Sequence, residues 1–112
     1  MTTISGYKRD RVGAYIDKDP DSKLDYTVDW SNWIAGGDYI QTSEWFIESP
    51  AGDLNPITEW TSSIITAVDS RATAYLQAGT VGSTYTITNR ITTSNQIVEE
   101  RYFRIFVKQR SL

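Results

Sequence analysis

Apolar and polar residues alternate most regularly from Thr84 to Thr92. Tyr85, Ile87, Asn89 and Ile91 fall on one face, and Thr84, Thr86, Thr88 and Arg90 on the other. A period of two in β-branched and aromatic residues predicts a half-buried strand. Gly79 and Gly82 supply a bend just before it. A Tyr opening such a strand fits two readings. One is the tyrosine corner of immunoglobulin-like sandwiches, whose hydroxyl bonds to backbone a few residues upstream. The other is a plain inward aromatic.

The same period recurs along the chain. In LDYTVDW, Leu24, Tyr26, Val28 and Trp30 share one face, and Asp25, Thr27 and Asp29 the other. Ser31 to Ala35 predicts one helical turn or a bent crossover, closed by Gly36-Gly37. Asp38 to Glu48 predicts a strand with a phase slip near Ser43, the signal of a bulge. After a turn at Pro50-Ala51-Gly52-Asp53, Leu54 to Trp60 rejoins the layer, with Pro56 marking an edge or an irregular start. Ser62 to Val68 and Ala72 to Gln77 predict a hairpin, with Ile64, Thr66 and Val68 sharing a face and Ala74 and Leu76 inward. Thr93 to Gln96 loops into a last strand, Ile97 to Lys108. There Phe103, Ile105 and Val107 oppose Tyr102, Arg104 and Phe106. About seven strands at this turn spacing predict an all-β, antiparallel β-sandwich, immunoglobulin-like if the tyrosine-corner reading holds.

Residues 1–16 lack such a period. Tyr7, Val12, Tyr15 and Ile16 are apolar anchors among charges and glycines. They predict an extended N-terminal arm, mobile or ordered by a partner, with a short edge strand as the competing reading. The expected organisation is an arm over 1–16 and one sandwich domain over 17–112.

Composition narrows the chemistry. A length of 112 residues suits one domain with one modest core. The chain has 7 Tyr, 4 Trp and 3 Phe, which favours strands. It has no Cys and no His, which removes thiol chemistry, Ser-His-Asp machinery and the commonest zinc ligand. No apolar run is long enough for a bilayer, and the opening MTTISGYKRD has no signal-peptide core. The expectation is a soluble protein made and used without export.

The net charge of −3 argues against nonspecific nucleic-acid binding. Its distribution says more. Between Lys23 and Arg71 there is no basic residue, while Asp25, Asp29, Asp38, Glu44, Glu48, Asp53, Glu59 and Asp69 all fall there. The N-terminal stretch carries Lys8, Arg9 and Arg11 against Asp10, and the end carries Arg101, Arg104, Lys108 and Arg110. Basic ends and an acidic middle can make complementary surfaces between copies, or simply a solvated surface.

Few constellations carry chemistry. An EF-hand loop opening at Asp17 needs Gly and Glu where Ser22 and Val28 stand, so that motif fails. With 14 acidic residues, a close carboxylate pair arises by chance, and no spacing singles one out. No catalytic residue, cofactor site or metal site is expected. Trp30 and Trp45 lie on inward phases, while Trp33 and Trp60 sit near turns and are candidates for sugar or protein contact. Tyr102 and Phe106, flanking Arg104 on the outer face of the last strand, suit a protein interface or a covering by the arm.

Two combined motifs then carry a resemblance. KDPD followed by LDYTVDWS, and later YTITNRITT followed by ERYF, resemble the tailed-phage fiber-tail adaptor proteins over roughly Lys18 to Val107. The resemblance implies an immunoglobulin-like virion domain at the neck, collar or tail that links other phage components. It implies no catalysis, no cofactor and assembly in the host cytoplasm. It suits a homo-oligomeric ring with no nucleic-acid or membrane partner. The departure is the longer stretch before Lys18, where Tyr7, Lys8, Arg9, Arg11 and Tyr15 could bind a partner by strand addition. The expected interface thus holds Tyr7, Lys8, Arg9, Arg11, Tyr15, Trp33, Trp60, Tyr102, Arg104 and Phe106. A capsid decoration protein and a carbohydrate-binding module are the alternatives.

Overall fold

The computed structural model describes residues 7–11 and 13–109. Its eight strands are β1 (Lys8–Arg9), β2 (Ala14–Lys18), β3 (Leu24–Asp29), β4 (Ile40–Glu48), β5 (Thr58–Thr66), β6 (Arg71–Gln77), β7 (Thr84–Thr93) and β8 (Val98–Val107). They form two sheets, ordered β1-β2-β8-β7-β4 and β3-β6-β5. The sheets enclose one core built on Tyr26, Trp30, Leu76, Tyr85, Ile87, Ile91, Ile105 and Val107.

β7 is the central strand of this core. Tyr85, Ile87, Asn89, Ile91 and Thr93 are all buried, and the residues between them are not. An alternating strand becomes central when its apolar face is covered by the second sheet and both edges are paired. Asn89 is the polar exception on the buried face. It accepts from the Trp30 indole N–H at 2.9 Å and donates to Ser43 Oγ at 2.8 Å and the Glu44 carbonyl at 3.1 Å. A buried amide with its groups satisfied ties β7, β4 and the end of β3 into one geometry.

At the start of β7, the Tyr85 hydroxyl accepts from the Thr80 N–H at 2.9 Å and donates to Asp53. The bond from Thr80 reaches backbone five residues upstream of the tyrosine. Asp53 adds a side-chain anchor from the β4–β5 connection, accepting also from Thr80 Oγ1 and from the Asn55 N–H. Gly79 passes close beneath. A Cβ there would stand 2.7 Å from Val107 Cγ2, at a φ of +110°.

Four features differ from the sequence expectation. The predicted segments 54–60 and 62–68 merge into one strand, β5, over Thr58–Thr66, broken in register by irregularities after Glu59 and Thr61, while Leu54 lies exposed in the connection before it. Its phase differs too, since Ile65 packs on the core while Ile64 and Val68 are exposed. The β4 bulge lies between Ile40 and Thr42 rather than at Ser43. Finally, β2 pairs parallel to β8, so the sandwich is antiparallel except along that ladder. The N-terminal stretch thus adds two short strands, and the expected boundary after residue 16 falls inside β2.

Candidate functional site

Among the described residues, two edges of the sandwich have no further strand paired to them, and they are built differently. One is formed by β1 and β2 beside β3. The other is formed by β4 and β5, which face each other as the outer strands of the two sheets.

The β1–β2 edge is held by side chains. Tyr7 packs on Phe103 with ring centroids 4.8 Å apart. Tyr15 stacks on Phe106 at 5.0 Å, and Arg104 lies over both rings. Arg104 also pairs with Asp10 and donates to the Gly13 carbonyl at 3.1 Å, so one guanidinium closes the hairpin onto β8. Asp17 sits between Lys8 at 4.0 Å and Lys108 at 3.1 Å. The outward side chains of β8 are therefore partly covered by the hairpin. Arg9 and Arg11 are exposed and make no ion pair with a described residue.

Between this hairpin and β3 lies a groove lined by Tyr7, Arg9, Thr27, Asp29, Arg101 and Phe103. The Tyr7 hydroxyl is buried there without a hydrogen-bond partner among the described residues, and burial pushes its pKa up. Arg101 spans the seam. It donates to the Asp29 carbonyl at 3.1 Å and lies 4.4 Å over the Trp30 ring.

The β4–β5 edge has the opposite character. Glu44, Glu48 and Glu59 are exposed on its strands, and Asp69 lies at its end. None of the four makes an ion pair with a described residue. Asp38 and Asp53, in the loops flanking β4, are held by hydrogen bonds instead. Those from Ser94 and Thr80 respectively lead in keeping each carboxyl below the usual carboxylate range.

The sequence-predicted interface residues divide accordingly. Tyr7, Lys8, Arg9, Arg11, Tyr15, Arg104 and Phe106 come together at the β1–β2 edge, with Tyr102 (49% exposed) beside them. Trp33 does not join them. It is half-buried, edge-on to Trp30 at 5.4 Å. Trp60, 41% exposed, stands apart on the other sheet beside Tyr75.

Sequence reasoning missed Lys18. Its side chain is fully buried, and Nζ donates to the Asp19 carbonyl at 2.8 Å and the Ala78 carbonyl at 2.7 Å. Desolvation lowers its pKa, with Asp19 and Asp21 opposing. The signal was the period of two from Ile16, which aims Lys18 inward.

Among the described residues no helix is long and apolar enough to cross a membrane. Comparison with curated proteins finds no match. The profile of one family, described as Podophage GP4 fiber-tail adaptor protein gp77, matches residues 18–106, most of the chain. With both motifs and nearly the whole sandwich inside that match, the chain belongs to this fiber-tail adaptor family.

Proposed function

We propose that the protein is a non-enzymatic virion adaptor at the neck, collar or tail that joins tail and fiber components through its exposed edges. The family match over residues 18–106 carries this reading. The geometry supports it, because the exposed charges and aromatic rings lie along strand edges and sheet faces. We read the sandwich as immunoglobulin-type, on its strand order and on the Tyr85–Thr80 bond. The β1–β2 hairpin acts as a docking element built onto the sheet. Assembly takes place in the host cytoplasm, and several copies surround the tail axis.

The test is simultaneous binding. A tagged chain mixed with disrupted virions should retain a tail component and a fiber component in one complex. Retention of neither, or of only one class in every condition, contradicts the adaptor role. The sugar-binding alternative has Trp60 as its remaining exposed candidate. A glycan that quenches Trp fluorescence in the native chain but not in Trp60→Ala would favour it.

A further inference from the structure

Neighbouring copies need a contact surface, and the two open edges are of opposite charge. The stretch between Lys23 and Arg71 holds no basic residue. Folding divides it. Asp25 and Asp29 go to β3, while Asp38, Glu44, Glu48, Asp53, Glu59 and Asp69 go to β4, β5 and their loops. Arg90 is the nearest cation on the neighbouring strand, cross-strand from Glu44, but it is paired with Glu100 at 2.6 Å. The exposed carboxylates of the β4–β5 edge, Glu44, Glu48, Glu59 and Asp69, thus make no ion pair with a described residue. On the far side of the sandwich, Arg9 and Arg11 project from the β1–β2 hairpin, with Lys8 beside them.

β4 is also an open edge nine residues long, of the kind that invites pairing with another chain. Two β4 edges placed together would bring Glu44 and Glu48 of one copy against the same residues of the other, which repel. The same carboxylates attract a cationic edge. A self-complementary contact is disfavoured and a head-to-tail one is favoured, and head-to-tail contacts close into rings when the rotation allows.

We infer that the acidic β4–β5 edge of one copy docks on the cationic β1–β2 edge of the next, with Glu44 and Glu48 facing Arg9 and Arg11. This rests on the adaptor reading only for the need to assemble, because the contact is drawn from the fold and its charges. Exposed pairs act weakly one by one, so the contact depends on several acting together and falls with salt.

The experiment is the solution mass of the full chain by sedimentation velocity, at low and high salt. Native chain should form a multimer at low salt and lose at least tenfold in association strength at high salt. E44K/E48K and R9E/R11E should each be monomeric, with unchanged circular dichroism. The chain carrying all four changes should assemble again, since the four facing residues have exchanged signs. Restored assembly cannot come from misfolding. A native chain that stays monomeric, a multimer indifferent to salt, or a fourfold variant that stays monomeric overturns the contact. Failure here and failure of the adaptor reading are separable. A monomer that still bridges tail and fiber components refutes only the contact, and an edge-held multimer that bridges nothing refutes only the adaptor role.

Discussion

The two edges differ in where their charges find partners. On the β1–β2 edge, Arg104 is spent on Asp10 and Gly13, and Lys8 and Lys108 on Asp17. Charge there mostly holds a short hairpin that has too little backbone pairing of its own. On the β4–β5 edge the strands are long and their ladders hold them, and Glu44, Glu48 and Glu59 make no ion pair with a described residue. Charges with internal partners belong to the fold, and charges without them are available for assembly. Substitutions should separate the two kinds.

The largest effect comes where both edges meet. Phe103 touches Tyr7 from the hairpin and Trp45 from β4, and packs on Tyr26 between the sheets. Phe103→Ala should cost about 3–5 kcal/mol in urea unfolding, and should loosen both edges together in hydrogen exchange. Arg104→Ala should break the symmetry. It removes a charge-assisted bond of a mostly buried side chain, for a loss of about 1.5–3 kcal/mol. Exchange should rise in residues 7–18 and stay unchanged in β4 and β5.

The acidic side has its own lock at Asp53, which can be read by pH. Its carboxyl is held below the ordinary carboxylate value by hydrogen bonds from Thr80 first and Tyr85 second. A depressed folded pKa contributes stability above the ordinary value, and that stability is lost as pH falls through the folded one. Tyr85→Phe should therefore destabilise at neutral pH by less than Arg104→Ala. Its urea midpoint should also fall less steeply than that of the native chain below about pH 4. The smallest effect is predicted for Glu48→Ala. Folding stability should stay within about 0.5 kcal/mol of native, because no internal partner is lost.

The same contrast explains what the sequence made legible. β7 and the second half of β8 have clean periods of two, and their buried faces are those the pattern predicts, down to Asn89 inside β7. Ala74 and Leu76 are inside β6 as expected. In β3, Tyr26 and Val28 are buried as expected, but so are Asp25 and Thr27 on the other face. Periodicity works where a strand has one face on the core. β5 defeated it, since two register shifts move the pattern from Ile64 to Ile65. The stretch before Lys18 was left open between an arm and a short edge strand, and the pairing of β2 was hidden for another reason. β2 lies beside β8, nearly ninety residues away in the chain, as the Tyr15–Arg104 pairing shows, and no local pattern encodes that. The same holds for the Asp53–Tyr85 bond and the Lys18–Ala78 bond, each joining a strand to a distant loop. Charge segregation was visible as a linear fact. Its placement on opposite edges depends on β4 and β5 being outer strands of facing sheets, which only the topology supplies.

The most direct test of the edge contact uses two chains in which the four facing residues carry one sign. E44K/E48K makes all four cationic, and R9E/R11E makes all four acidic. The measurement is the mass of each alone and of an equimolar mixture at low salt. Docking of the acidic edge on the cationic edge predicts monomers when separate and an alternating multimer when mixed. Monomers in the mixture, or multimers of either variant alone, would contradict it.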